Sequence, residues 1–274
     1  MSNAIRLIFL SSVPLVLLVA IGYLLVGVVG SFFALVFFGI FTFVSYLFSE
    51  KIIVRMYHAR PADNKENQVY HAAADKLAKD AGVDVPKLYV IDTCTPTALV
   101  FGIRNASVAV TTGLIQLCDK KEIEAVISYE LAHIVNKDVC LSTFSAILSS
   151  VILYLPEMLW WKAVNAEGKE GSALRLPALA VAPFAAIIAR SAMSGSLVVA
   201  ADVSAVRISD KPRFLASALE KISREIKFRP LKFGSHATSH LFIMNPFNGT
   251  ALSKFFAPRF TVKERIQRLE KMAV

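Results

Sequence analysis

No charged residue interrupts the chain between Arg6 and Glu50. The uncharged run from Leu7 to Ser49 is 43 residues long. One bilayer span takes about 20 apolar residues, so the run accommodates two helices and a tight turn. Gly27 and Gly30 offer a place for that turn. The run far exceeds the roughly 7–15-residue apolar core of a cleaved signal peptide. A chain that begins this way is expected to be anchored in a membrane, and the rest must fold around that anchor.

A second apolar block supports the same reading. Leu141 to Trp161 carries only Glu157, and Leu176 to Ala201 carries only Arg190. The polar stretch between them contains Gly168 and Gly171. This predicts a second hairpin of two helices, the alternative being a pair of buried core helices. Glu157 and Arg190 then form an intramembrane pair, or lie near span ends and snorkel. Across the chain, 55% of residues are hydrophobic and the mean hydropathy is +0.55, beyond an ordinary soluble domain.

Charge sets the orientation. Lys51, Arg55 and Arg60 follow the first apolar run, and Arg207, Lys211 and Arg213 follow the second. The positive-inside tendency places both termini and both polar regions in the cytoplasm of a multi-pass inner (plasma) membrane protein. Residues 50–138 are near neutral, whereas Val203 to Val274 carry 14 Lys and Arg against 5 Asp and Glu. A basic tail behind a span points to anionic membrane lipid as a partner. No nucleic-acid motif accompanies it, so nucleic acid is not expected as a partner. Cys94, Cys118 and Cys140 lack metal-type spacing and read as free thiols. Nothing in the sequence specifies an oligomer.

The polar regions show helix and strand periodicity. Glu66 to Ala81 repeats apolar residues at helical spacing and stops at Gly82. Lys87 to Asp92 reads as a short strand, and Thr97–Phe101 and Ser107–Thr111 as a hairpin or adjacent strands. Helices are expected at about Lys121–Asn136, Arg213–Glu225 and Thr261–Met272, the last basic on its exposed side. Ser239 to Pro246 reads as a loop or short strand.

The helix at Lys121–Asn136 contains S-Y-E-L-A-H-I-V-N-K-D, Ser128 to Asp138. Two histidines at i and i+4 grip one zinc, and the glutamate after the first polarises the bound water. Here Glu130 and His133 stand in register, but Tyr129 occupies the first ligand position.

E-A-V-I-S-Y-E-L-A-H-I-V-N-K-D resembles the active-site helix of the HtpX-like membrane metallopeptidases, gluzincin-type relatives of the CAAX prenyl proteases. V-A-V-T-T-G-L-I from Val108, S-E-K-I-I-V-R-M-Y from Ser49, H-L-F-I-M-N-P from His240 and K-E-R-I-Q-R-L from Lys263 resemble further segments of that family. The resemblance implies a mainly α fold with a small β-sheet. An α+β zincin-like cytoplasmic domain would sit on four transmembrane helices in two hairpins. The divisions are a first hairpin (1–50), a half bearing the active-site-type helix (51–138), a second hairpin (139–201) and a basic helical part (202–274). It also implies a zinc endopeptidase acting on misfolded membrane proteins at the cytoplasmic face.

Carried over residue by residue, the resemblance makes Glu130 the general base and His133 a metal ligand. The first ligand position holds Tyr129. The third, from an E-x-x-A-D pattern, falls on Val198 of V-V-A-A-D, with Asp202 kept. A family histidine before the last helix is replaced at or near Arg259. Valine cannot ligate, and tyrosine ligates only as phenolate, with an ordinary pKa of about 10. One imidazole is a poor zinc site, so zinc is expected to be absent or weakly bound. The expectation is a pseudoprotease that binds extended peptides or membrane protein segments. It would bind them along the strand Ser107, Val108, Ala109, Val110 and Thr111, since strand edges add peptides without a metal. Glu130 and His133 would pair with each other or with Arg207. The alternative is an active enzyme in protein quality control that assembles substitute ligands, His133 with His236 and His240 or with Tyr129. A third class is a membrane scaffold unrelated to peptides.

Overall fold

The computed structural model describes residues 3–150, 195–247 and 261–273. Helix α1 (Asn3–Met56) is broken at Gly27, whose φ of 68° is a left-handed conformation open to glycine. The break lets the two halves meet: Ser31 Oγ donates to the carbonyl of Val19 at 3.3 Å, although they are twelve residues apart. A Cβ on Gly30 would stand 2.0 Å from the Gly22 carbonyl oxygen, so only glycine permits this approach. Among the described residues, Val26–Met56 is the one helical stretch long and apolar enough to cross a membrane. Of the four expected membrane helices the described residues show this one, and most of the second hairpin, with Glu157 and Arg190, falls on residues 151–194, outside the described residues. Its flanks are the apolar helix Val139–Ser150 and the start of the helix at Gly195.

A mixed four-stranded sheet carries the polar region. Its strands are β1 (Arg60–Pro61), β2 (Lys87–Ile91), β3 (Ala98–Phe101) and β4 (Ser107–Thr111), in the order β1-β2-β4-β3. β3 and β4 form the expected antiparallel pair, while β2 runs parallel to β4. One correction follows. Ser107–Thr111 is paired along both sides and every residue in it is buried, so this strand has no free edge to offer a peptide.

Helices close both faces of the sheet. They are α2 (Gln68–Ala81), α3 (Thr112–Leu117), α4 (Lys120–Val135), α5 (Val139–Ser150), α6 (Gly195–Ser209), α7 (Pro212–Phe228) and α8 (Val262–Lys271). Val108, Val110, Ala98 and Val100 face one core with α2, α4, α6 and α7. Leu99, Phe101 and Ala109 face the other, with Ile53 and Tyr57 at the end of α1, Ala146 and Ile147 of α5, and Phe242. The alternation along β3 and β4 is the period-2 pattern of a strand buried on both faces.

Candidate functional site

The site lies where α4, α6 and α8 meet. α4 starts in a capping box: Asp119 Oδ1 accepts from the Glu122 N–H, and Glu122 Oε2 accepts from the Asp119 N–H, both at 2.9 Å. Glu122 also takes Ser217 Oγ at 2.6 Å and Lys221 Nζ at 2.7 Å, which fixes α4 against α7. The helix thereby presents Tyr129 and His133 on one side, four residues apart, with their rings edge to face at 5.0 Å.

His133 retains the posture of a ligand. Its Nδ1–H donates to Asp138 Oδ1 at 2.9 Å and Oδ2 at 3.1 Å. A carboxylate on the far nitrogen fixes the tautomer, as it does for metal-bound histidines. Tyr129 does not ligate. It is buried, and burial pushes its hydroxyl well above the usual phenol range, with the Arg265 charge opposing. The ring instead carries the Arg265 guanidinium, 4.8 Å from its centroid, a cation–π contact.

Arg265 is the centre of this cluster. It comes from α8, where it interrupts the apolar stripe of Val262, Ile266 and Leu269. Its Nη2 and Nε donate to Asp202 at 2.8 and 3.2 Å, and its Nη1 to the Ile243 carbonyl at 2.7 Å. Fork geometry of this kind is specific to arginine. Asp202, which the sequence marks as retained, is fully buried.

Glu130 is fully buried and neither carboxyl oxygen has a hydrogen-bond partner. Burial, opposed by Arg265 and reinforced by Asp138, raises its pKa well above the carboxylate range. The expected Glu130–His133 pair is therefore not formed, because His133 faces Asp138. Nor does Arg207 serve it: that side chain is exposed on α6, and Arg265 is the cation Glu130 senses.

Zinc does not fit these residues. Val198, half-buried on α6, brings no donor. Tyr129 is held as a phenol beneath a fixed positive charge, which repels a divalent cation as well. The substitute set is not assembled either. His240 Nε2 donates to the Ser142 carbonyl at 3.0 Å, with its pKa lowered to about 4 by burial, and His236 stacks on Phe247 at 4.8 Å. Among the described residues no three His, Cys, Asp or Glu side chains converge as metal ligands. Arg259 lies outside the described residues.

Sequence reasoning missed Asp138, Arg265 and Ile243 as members of the site. A charge in the apolar stripe of α8 was the signal for Arg265. Asp138 and Ile243 carried no signal beyond proximity in the fold.

Residues 64–273 match the model of peptidase family M48. Over 265 residues the chain is 39% identical to a protease HtpX homolog of Pyrococcus abyssi, covering 94% of this chain and 92% of that one. Over 287 aligned positions it is 37% identical to protease HtpX of Legionella pneumophila, covering 99% and 100% respectively. With these matches along nearly its whole length, the chain belongs to the HtpX-like metallopeptidases of family M48.

Proposed function

We propose that this protein is a proteolytically inactive HtpX-like membrane protein. It binds, rather than cleaves, peptides or membrane protein segments at the cytoplasmic face. The observation that carries this is Tyr129 under Arg265, with Val198 on the facing helix. The two positions that would complete a zinc site with His133 hold a protonated phenol and an alkyl group. Without a metal, Glu130 has no activated water to work on, and its burial disfavours the charged form that a general base needs. The apolar stretch Val26–Met56, which carries Lys51 and Arg55 in its last two turns, supports anchorage with the polar body in the cytoplasm.

The experiment is metal analysis and proteolysis of detergent-purified protein. The expected result is far less than one zinc per chain, and β-casein, an unfolded protein, retained intact. Tyr129→His with Val198→Glu is expected to raise zinc content toward one per chain. Near-stoichiometric zinc in the unmodified protein, lost in His133→Ala, would overturn the reading.

A further inference from the structure

The sheet has two edges, and neither is open. β1 is two residues long and ends in Pro61, which has no N–H to donate. β3, beside α4, is the edge along which an extended chain would add. Outward groups at its two ends are taken by the protein itself. Leu99 forms an antiparallel bridge with Phe242, and the Ile243 N–H donates to the Ala98 carbonyl at 3.0 Å. One step further on, the Gly102 N–H donates to Thr143 Oγ1 at 2.9 Å. The covering segment, Leu241 to Met244, is buried, and Arg265 holds it from behind through the Ile243 carbonyl. The guanidinium at the former metal site thus also pins the piece of chain lying on the strand.

We propose that Leu241–Met244 is a built-in occupant of the β3 edge, an autoinhibitory strand that must leave before an extended apolar peptide can pair with Ala98–Phe101. This rests on the reading of the protein as a peptide binder. The occupant is weakly matched to its seat. It makes a single bridge, whereas an incoming strand can pair along the four residues of β3. What it vacates are the places of Phe242, Ile243 and Met244, which all face apolar clusters. The ligand is therefore an apolar segment in extended form, as an unfolded membrane protein exposes.

The test locks and unlocks this segment in the full-length protein in detergent. In Leu99→Cys/Phe242→Cys the two thiols stand directly opposite on antiparallel chains, a spacing a disulfide spans. Ile243→Pro removes the N–H that donates to Ala98. The probe is fluorescent β-casein, and amide exchange at Val100 is followed alongside. Oxidising the cysteine pair is expected to weaken casein binding at least tenfold and slow exchange at Val100, with both effects reversed by reductant. Ile243→Pro is expected to strengthen binding at least threefold. Because that variant can lose fold as well as the bond, the oxidised-to-reduced comparison within one protein decides. Equal binding by both redox forms, with the unmodified protein also binding, overturns the occlusion and leaves the binding function standing. No casein binding by any form removes the binding function and the occlusion together.

Discussion

Glu130 ties a single residue to a measurable property. Its folded pKa is raised, so in the window above the unfolded value of about 4.3 the native state keeps a proton that the unfolded state has lost. Its contribution is fully present below that pH and declines as pH rises toward the folded pKa. Glu130→Gln cannot titrate. Relative to the unmodified protein it should gain stability as pH rises above that value, by at most about 1.4 kcal/mol per pH unit, read from denaturation midpoints across a pH series. A constant difference would mean that Glu130 is ionised in the fold. The Arg265–Asp202 pair behaves differently, because each partner is buried. Arg265→Met strands the carboxylate and should cost about 3–5 kcal/mol. Adding Asp202→Leu should restore most of the loss, and a double variant no more stable than the single would refute the pairing as the source. At this scale the sequence told half of the story. Tyr129 and Val198 could be read as lost ligands because ligand spacing on a helix is a local property. That Arg265 would stack on Tyr129 could not, since it depends on how α8 docks onto α4 and α6.

The same limit governs whole elements. Helix positions were legible because periodicity and stop signals such as Gly82 act within a few residues. The antiparallel β3–β4 pair follows from its short connection. The parallel pairing of β2 with β4 joins strands separated by β3, and no local signal reports it. That pairing turned Ser107–Thr111 from an expected edge into the sheet's interior. The break in α1 belongs with the legible features, since glycine is where left-handed backbone and close helix approach both become possible. Gly30→Val puts a side chain into the Gly22 carbonyl and should force the two halves of α1 apart. Gly39 has open space around it, so Gly39→Val serves as the matched control. Thermal unfolding in detergent should show a clear drop for Gly30→Val and little change for Gly39→Val. Equal midpoints would mean that the two halves do not pack in solution as they do here.

At the scale of the whole molecule, the polar body is tied to the membrane anchor by more than the chain. Glu50, at the foot of the apolar run, accepts from Tyr89 at 2.7 Å and Lys87 at 2.9 Å, so β2 is seated directly on α1. α4 passes into α5 within four residues, and Thr143 of α5 bonds β3's continuation. Both attachments meet the same sheet, so an anchor in α1 would hold the whole body on one side of the bilayer. Lys51 and Arg55 at the end of α1 argue for the cytoplasm. The cysteines give a direct test. Cys94 is exposed in the polar body, whereas burial pushes the Cys118 thiol up to about 12 and Cys140 is only half-exposed. Thiolate reacts with maleimide, so a membrane-impermeant maleimide should modify Cys94 first. Labelling is expected in inside-out vesicles and in detergent, absent in intact cells, and abolished by Cys94→Ser. Modification of Cys94 in intact cells would place the sheet and the Arg265 cluster outside, and would overturn the charge-based orientation while leaving the fold untouched.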